Sequence, residues 1–195
     1  MGKATPNTQE MTRDEESLLA RLLKSRTIVI TDEINKKMAQ QVIAQLLLLE
    51  QEDAKKPIKI FINSPGGDAD AGFAIYDMIK FIRPDVKAIC TGITASAAVI
   101  ILLGAAKKNR YSLPNARILI HQPTTGVMGS AADIEIEASE ILKFRDKINH
   151  LIAEETGQGV KKVEADTRRN FWMSGEEALD YGLIGKIITD RNQLE

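Results

Sequence analysis

Three short segments of the chain carry residue types that could perform acyl transfer. Ser96 begins an apolar run that is typical of the first turn of a helix, and His121 ends an apolar run that is typical of a strand. Further upstream, a predicted strand is followed by the glycine turn of Gly66 and Gly67. A serine nucleophile, a histidine base and a glycine that lets backbone approach a ligand closely are the parts of an acyl-transfer site.

Each of these residues also has a plain structural interpretation, because serine often caps helices and histidine often ends a buried strand. In an acyl-transfer site, each of these residues would have a different role. Free N–H groups and roughly half a positive charge at a helix N-terminus stabilise a developing oxyanion. We therefore predict the N–H groups of Ala97 and Gly67 as oxyanion donors, and His121 as the general base that takes the proton of Ser96.

Composition excludes several classes of function. The chain has 195 residues, 44% hydrophobic and 27% charged, which is typical of one globular domain spanning 1–195. A net charge of -1 argues against a nucleic-acid-binding surface. The apolar run 95–106 is too short to span a bilayer, and the polar start lacks a signal peptide, so we expect a cytoplasmic protein without membrane contact.

Cysteine content and motif content limit the cofactors. The one cysteine, Cys90, excludes an internal disulfide and a Cys-based zinc site, and its apolar strand predicts a buried, inert thiol. No Gly-x-x-x-x-Gly-Lys-Ser/Thr motif occurs, so the chain itself should not bind ATP. We predict no metal and no cofactor.

Hydrophobic periodicity predicts strands that alternate with helices. Predicted helices cover 14–25, 35–50, 69–81, 95–105, 131–155, 160–168 and 176–181, and predicted strands cover 27–30, 57–63, 86–92, 117–121 and 184–188. This alternation implies an α/β fold with parallel strands and helical crossovers. Residues 1–13 are predicted to be mobile. In helix 131–155, Ile134, Ile141 and Ile148 recur at heptad spacing, which predicts an arm that packs on a partner helix.

Several motifs, in their order along the chain, resemble those of the proteolytic subunits of ATP-dependent Clp proteases. They are Asn-Ser-Pro-Gly-Gly at 63–67, Ala-Ser-Ala at 95–97, Ile-His-Gln-Pro at 120–123 and Met-Ser-Gly-Glu-Glu-Ala at 173–178. The resemblance runs from about residue 18 to 188. It implies a crotonase-like α/β fold of repeated strand–helix units with a protruding handle helix. It also implies two stacked seven-membered rings of this subunit around a closed chamber, in which a serine endopeptidase cleaves unfolded polypeptides.

By position, the resemblance assigns Ser96 as nucleophile, His121 as base, and Gly67 and Ala97 as oxyanion donors. It assigns substrate binding to the segment after the histidine, namely Pro123, Thr124, Thr125 and Gly126. Residues 126–129 match an extended strand that pairs with the substrate backbone. Helix 131–155 matches the handle that joins the rings.

The resemblance also implies a contact that joins the two rings, and a partner protein. Arg169 resembles the arginine that links the rings, with Glu135 or Glu137 as the acid on the opposite handle. An Hsp100-class ATPase would unfold the substrates.

The chain departs from the family at its third catalytic position, where Asn170 replaces an aspartate. The asparagine side-chain oxygen can accept the Nδ1–H of a histidine, but it supplies no charge to stabilise imidazolium. In a trypsin-type triad this exchange lowers kcat by roughly 10⁴, so we expect a weak or conditional peptidase. Asp166 is a candidate substitute acid, with a cap or a salt bridge to Arg169 as its structural alternative.

Other departures concern substrate binding and docking. Ala97 and Ala98 stand in place of Met-Gly, and Thr124 and Thr125 in place of Leu-Gly. Lys59 occupies a position where the family usually has an aromatic residue that lines the ATPase docking pocket, although Phe61 is nearby. The segment 5–13 lacks the apolar start that is usual in the family. We therefore predict that the subunit works best in a mixed assembly with a paralogue.

Three functions remain open at this point. The first is a serine endopeptidase with a low intrinsic rate, and the second is a mainly structural or regulatory ring subunit beside an active paralogue. The third is an acyl-CoA enzyme of the crotonase class, which needs no serine nucleophile, so the Ser96–His121 pair favours the peptidase. The second histidine, His150, is predicted to lie on the surface of the long helix.

Overall fold

The computed structural model describes the backbone of residues 13–194 and the side chains of residues 18–194. The predicted mobile segment 1–13 lies outside the described residues except for Arg13, which begins the first helix. The prediction about 5–13 likewise lies outside them.

The described chain alternates strands and helices, as the periodicity predicts. The strands are β1 (Thr27–Ile30), β2 (Ile58–Ser64), β3 (Val86–Ala95), β4 (Arg110–Ser112), β5 (Arg117–Ile120), β6 (Phe171–Ser174) and β7 (Lys186–Ile187). The helices are α1 (Arg13–Lys24), α2 (Lys36–Glu52), α3 (Ala69–Phe81), α4 (Ala97–Gly104), α5 (Ala131–Thr156), α6 (Val160–Thr167) and α7 (Gly175–Tyr181). Two 3₁₀ turns cover Lys107–Asn109 and Arg191–Leu194.

The strands form one sheet that divides at β3. Strands β1, β2, β3, β4 and β7 pair in that order, all in parallel, while β5 pairs in parallel with the end of β3 and antiparallel with β6. The α/β fold class is therefore confirmed. Strands β4, with three residues, and β6, with four, were not predicted.

Strand β3 is longer than predicted because it changes partners along its length. Its first part, up to Cys90, pairs with β4, and its last part, Ile93 to Ala95, pairs with β5. Gly92 lies between the two parts with a φ of +55°, where an added Cβ would be 2.5 Å from the side-chain oxygen of Asn63. The pairing with β5 holds the chain extended up to Ala95, so α4 begins at Ala97 rather than at the predicted residue 95.

Helix α4 is the centre of the core. Every residue from Ala97 to Gly104 is buried, and the helix packs against α3. A helix that is apolar on all sides is stable in water only when it is buried on all sides. Its N-terminus, at the end of β3, is therefore fixed by packing on several sides.

Helix α5 is the long helix that the sequence predicts, and its two halves differ in packing. A capping box between Ser130 and Asp133 begins it, and the left-handed Gly157 (φ +81°) ends it. Its second half buries Ile148 and Ile152 against the core, whereas residues 131–140 are all exposed. In the described part of the chain, no helix combines the length and the apolar character needed to cross a membrane.

Candidate active site

Ser96 has a strained backbone at the junction of β3 and α4. Its φ is +56° and its ψ is -122°, a conformation that L-residues with a side chain seldom adopt. The side chain makes no capping hydrogen bond to α4. Instead, Ser96 Oγ lies 2.8 Å from His121 Nε2. The strained turn therefore directs the hydroxyl at the imidazole rather than at the helix.

The β3–β5 pairing brings these two residues together. Ala95 pairs with Leu119, and the N–H of Ser96 donates to the carbonyl of Leu119 at 2.9 Å. Both strands run in the same direction, so Ser96 and His121 leave the sheet at the same edge. Two residues that are 25 positions apart in sequence thus meet because their strands are neighbours.

The glycine turn after β2 packs directly behind the serine. Gly66 has a φ of +95°, and a Cβ on it would lie 2.6 Å from the Ala95 oxygen and 2.7 Å from the Ser96 Cβ. Gly67 was predicted from the sequence as a site residue, whereas this role of Gly66 was not. The double glycine after a strand was the signal that could have found it.

Gly67 and Ala97, the predicted oxyanion donors, line one cleft with Ser96. Gly67 forms an isolated parallel β-bridge with Ile34. In this bridge the N–H of Ile34 donates to the carbonyl of Gly66, and the N–H of Asp68 donates to the carbonyl of Ile34. Within the described residues, no hydrogen bond uses the N–H of Gly67 or of Ala97. Two free N–H groups near a nucleophile can hold an oxyanion.

Asn170 reaches the neighbourhood of His121 through the antiparallel β5–β6 pair. The last pair of that ladder is Ile120 with Phe171, so His121 and Asn170 are the next residues beyond it. Asn170 is exposed, and among the described residues no hydrogen bond joins it to His121. The adjacent segment is held by Gln122, whose N–H donates to Thr167 at 2.6 Å and whose side-chain amide donates to Arg168 at 3.0 Å.

Asp166 is engaged away from the histidine. Its carboxylate accepts hydrogen bonds from Lys162 Nζ at 2.7 Å and from the Tyr181 hydroxyl at 2.9 Å. Burial and this contact with Asp166 raise the pKa of Tyr181. The predicted alternative, a salt bridge between Asp166 and Arg169, is wrong. Asp166 pairs instead with Lys162, because Lys162 lies one helical turn away on the same face of α6.

A cleft of about 630 Å³ opens at the Ser96–His121 pair. Of the predicted substrate-binding residues, Pro123, Thr124 and Thr125 line it, and Gly126 does not. Residues 126–129, predicted to be extended, form no strand pairing with other described residues in the single chain. Apolar side chains from α4 and α5 line the other part of the cleft, namely Val99, Ile100, Ile141, Phe144, Ile148 and Ile152.

The residues predicted to link rings are exposed. Arg169 and Glu135 form no ion pair with each other or with other described residues, and the same holds for Glu137. The single chain therefore leaves all three charges available on its surface.

A second groove, of about 450 Å³, contains Lys59 and Phe61 together. Its apolar lining comes from Leu22, Val29, Leu113, Ile188 and Leu194. Burial lowers the pKa of Lys59, and the neighbouring charges of Arg191 and Lys87 lower it further.

Two predictions about residues outside the site are confirmed. Cys90 is fully buried, and burial raises its pKa to about 12, so the thiol is inert. His150 lies on the surface of α5, where its Nδ1 and the carbonyl of Asp146 are 2.7 Å apart.

Comparisons with known proteins agree in placing the chain among Clp proteases. Residues 9–191 match the family model described as Clp protease. Over 183 residues the chain is 51% identical to the ATP-dependent Clp protease proteolytic subunit 2 of Treponema denticola, which covers 94% of this chain and 92% of that protein. The fold is similar to a solved structure of ClpP1 from Listeria monocytogenes that carries an asparagine-to-aspartate mutation. The TM-score is 0.85 at 50% identity, over 91% of this chain and 99% of that one.

Proposed function

Since the chain belongs to the Clp protease family as a serine peptidase subunit, we propose that Ser96, His121 and Asn170 are its catalytic triad. The subunit cleaves unfolded polypeptides with a low intrinsic rate. The observation that carries this proposal is the distance of 2.8 Å between Ser96 Oγ and His121 Nε2, together with the strained backbone that holds Ser96. The family match decides against the acyl-CoA enzyme.

The reaction follows from the positions of the groups. Ser96 Oγ attacks the scissile carbonyl carbon while His121 Nε2 takes the hydroxyl proton, and the carbonyl oxygen becomes an oxyanion held by the N–H groups of Gly67 and Ala97. The carbon–nitrogen bond then breaks, and His121 gives its proton to the leaving amine. Water, deprotonated by His121, releases the second product from the Ser96 ester.

Asn170 has an orienting role in this proposal. Its amide oxygen accepts the Nδ1–H of His121 when the two side chains meet, but the neutral amide leaves the imidazolium without a counter-charge. Support comes from the β5–β6 ladder, because its last pair, Ile120 with Phe171, is adjacent in sequence to these two residues. The solved Listeria relative carries an asparagine-to-aspartate replacement, the same exchange that we propose to test at Asn170.

Two measurements test the peptidase function. A fluorophosphonate probe should label Ser96, and hydrolysis of a short fluorogenic peptide should be slow but measurable. Ser96→Ala should remove both signals. A matched control is Ser25→Ala, since Ser25 lies outside the cleft at the end of α1. If the probe labels no serine in the assembled protein, the proposed nucleophile is wrong.

A structural or regulatory ring subunit is the second candidate function. It is favoured by the missing hydrogen bond between Asn170 and His121 and by the unpaired segment 126–129 of the single chain. Probe labelling without peptide hydrolysis would support this alternative, because a reactive serine would then exist without a complete triad or substrate strand.

Assembly and partners belong to the same proposal. The subunit forms seven-membered rings stacked in pairs, and the exposed apolar residues Ile134, Ile136 and Leu142 of α5 support a helix contact between rings. The groove around Phe61 supports docking of an Hsp100-class ATPase, which would deliver polypeptides. The protein acts in the cytoplasm, without nucleic acid, membrane or cofactor.

A mixed assembly with a second, better equipped paralogue completes the proposal. Lys59 in the groove and Asn170 beside the histidine support it, because each weakens a function that a paralogue would supply. Purification of the subunit from its native host, followed by mass spectrometry of the rings, tests this. Rings that contain only this chain would contradict it.

A further inference from the structure

We propose that Asn149 and Thr167 are positioning residues of the peptidase site, which set the place of Asn170 relative to His121 through a buried polar contact between α5 and the end of α6. The inference rests on the proposed catalytic triad. It adds two residues that line no part of the catalytic cleft and that act through the segment 167–170.

The contact joins α5 to α6 inside the protein. Asn149 and Thr167 are each 1% exposed, and Thr167 Oγ1 lies 2.9 Å from Asn149 Oδ1. Thr167 Oγ1 also lies 2.8 Å from the carbonyl oxygen of Val163, and its single proton serves only one of these two acceptors. Buried polar groups are costly unless they are paired, so this contact holds the end of α6 in one position against α5.

The amide of Asn149 also has a polar end that no described residue pairs. Its Nδ2 is buried and forms no hydrogen bond. When Thr167 donates to Val163, the amide pairs with Thr167 by turning its nitrogen towards Oγ1, and its oxygen then occupies the unpaired place. In either orientation one end lacks a partner, which costs free energy. A leucine of similar size would avoid this cost, so packing alone does not account for an asparagine here.

The end of α6 is connected to the residue after His121. The N–H of Gln122 donates to the carbonyl of Thr167 at 2.6 Å, and the side-chain amide of Gln122 donates to the carbonyl of Arg168 at 3.0 Å. Thr167 therefore contacts α5 through its side chain and the histidine segment through its backbone. Asn170 follows Thr167 by only three residues and directly precedes β6.

Two held ends limit where Asn170 can lie. One end is α6, held at Thr167, and the other is β6, held by its pairing with β5. Only Arg168, Arg169 and Asn170 lie between these ends. So short a segment has little slack, and a shift of Thr167 therefore moves Asn170 relative to His121. A displacement of about 1 Å that starts far from the chemistry can lower a rate by about a hundredfold.

A double-mutant cycle separates positioning from a purely structural role. The rate of fluorophosphonate labelling of Ser96 is measured in assembled wild type, Asn170→Asp, Thr167→Val and the combined variant. We expect Asn170→Asp to accelerate labelling about tenfold in the wild-type background and less than about twofold beside Thr167→Val, because the carboxylate is then misplaced. Residues that act independently would give the same gain in both backgrounds.

Further variants assign the effect to the contact. Thr167→Ser keeps the hydroxyl and should retain the full gain from Asn170→Asp. The matched control is Thr156→Val, which removes another buried hydroxyl, one that donates to the carbonyl of Ile152 and lies outside the cleft, and which should also retain the gain. The Asn149→Leu/Thr167→Val variant replaces both partners by apolar groups of similar size, which limits the loss of stability, and should lose the gain.

Peptide hydrolysis by the Asn170→Asp protein gives a second readout. Addition of Thr167→Val should lower kcat about tenfold and change KM less than about twofold, because Thr167 does not line the cleft. Circular dichroism and analytical ultracentrifugation report whether each variant is folded and assembled. If Thr167→Val does not fold, the Asn149→Leu/Thr167→Val variant takes its place in the cycle.

Four results would overturn the inference: an equal gain from Asn170→Asp with and without Thr167→Val, no gain in either background, a loss of the gain in Thr156→Val as well, or unfolding of both Thr167→Val and the double variant, which would show a purely structural role. Failure of the proposed function gives a different result. In that case the probe does not label Ser96 in the wild type, whereas failure of the inference alone leaves wild-type labelling intact.

Discussion

Asn170 and His121 each lie one residue beyond the last pair of the β5–β6 ladder, and among the described residues no hydrogen bond joins their side chains. The sheet thus brings Asn170, the third residue of the proposed triad, to the end of β5 that is followed by His121. The segment that follows α6 is held by Gln122 rather than by His121. In the proposed triad, a hydrogen bond between Asn170 and His121 therefore requires an adjustment of this short segment, which lies beside the exposed Arg169.

We expect Asn170→Asp to raise the rate of peptide hydrolysis by at least tenfold. A carboxylate at this position stabilises the imidazolium that forms on His121, and the loss of such a charge lowers kcat by roughly 10⁴ in a trypsin-type triad. The measurement is kcat/KM for a fluorogenic peptide. Asn115→Asp, an exposed exchange of the same kind, is the control. An unchanged rate in Asn170→Asp, with activity still lost in Ser96→Ala, would show that the missing charge is not limiting.

Gly66→Ala should abolish activity because its Cβ would displace the nucleophile. The new atom would come within 2.7 Å of both the Ala95 oxygen and the Ser96 Cβ, at a φ of +95° that alanine disfavours. We expect labelling of Ser96 to fall at least a hundredfold, a loss of about 2.7 kcal/mol of transition-state stabilisation. Gly159→Ala, where a Cβ meets nothing within 4 Å, should retain labelling. Circular dichroism separates a local defect from unfolding, and full labelling of folded Gly66→Ala would refute the proposed contact.

Glu155→Gln should destabilise the fold in a pH-dependent way. Burial opposes ionisation of Glu155, but hydrogen bonds from Lys80 and Arg110 outweigh it and hold its pKa below the usual 4.5. The ionised form therefore stabilises the protein above that pH, and the contribution disappears as pH falls through the lowered pKa. Arg110 is fully buried, so removal of its acid leaves it without a counter-charge.

Urea unfolding measures this effect. At pH 7, Glu155→Gln should lower the free energy of unfolding by about 2 kcal/mol, and the difference from the wild type should shrink towards pH 3. Glu154→Gln changes the preceding, exposed residue of α5 and should have little effect. A loss that stays constant between pH 7 and pH 3 would show that ionisation of Glu155 is not its cause.

Charge reversal tests the proposed contact between rings. Arg169→Glu and Glu135→Arg should each separate double rings into single rings, because each places like charges opposite one another. Analytical ultracentrifugation distinguishes the two species by mass. The combined variant should restore the double ring, whereas Glu137→Arg serves as the control for the neighbouring acid. If Glu137→Arg and Arg169→Glu restore each other, Glu137 rather than Glu135 is the partner of Arg169.

Local chemistry explains which elements the sequence predicted well. Helix α3 has the predicted bounds, because Asp68 caps its start and Pro84 disfavours helix shortly after its end. The Gly66–Gly67 turn was also evident, since such turns depend on residues within a few positions. Ser96 and His121 were identified by the same local signals and by the order of motifs.

Contacts between residues that are far apart in the chain could not be predicted from the sequence. The pairing of β3 with β5 decides that Ser96 Oγ lies 2.8 Å from His121, and the packing of α6 against α5 decides that Thr167 contacts Asn149. Asp166 likewise bonds to Lys162 and Tyr181 rather than to Arg169. The sequence determined where most of the strands and helices lie and which residues could do chemistry, because backbone preferences and apolar periodicity act over short spans. Only the tertiary structure decided which of those residues meet, because strand register and helix packing join segments that are far apart in the chain.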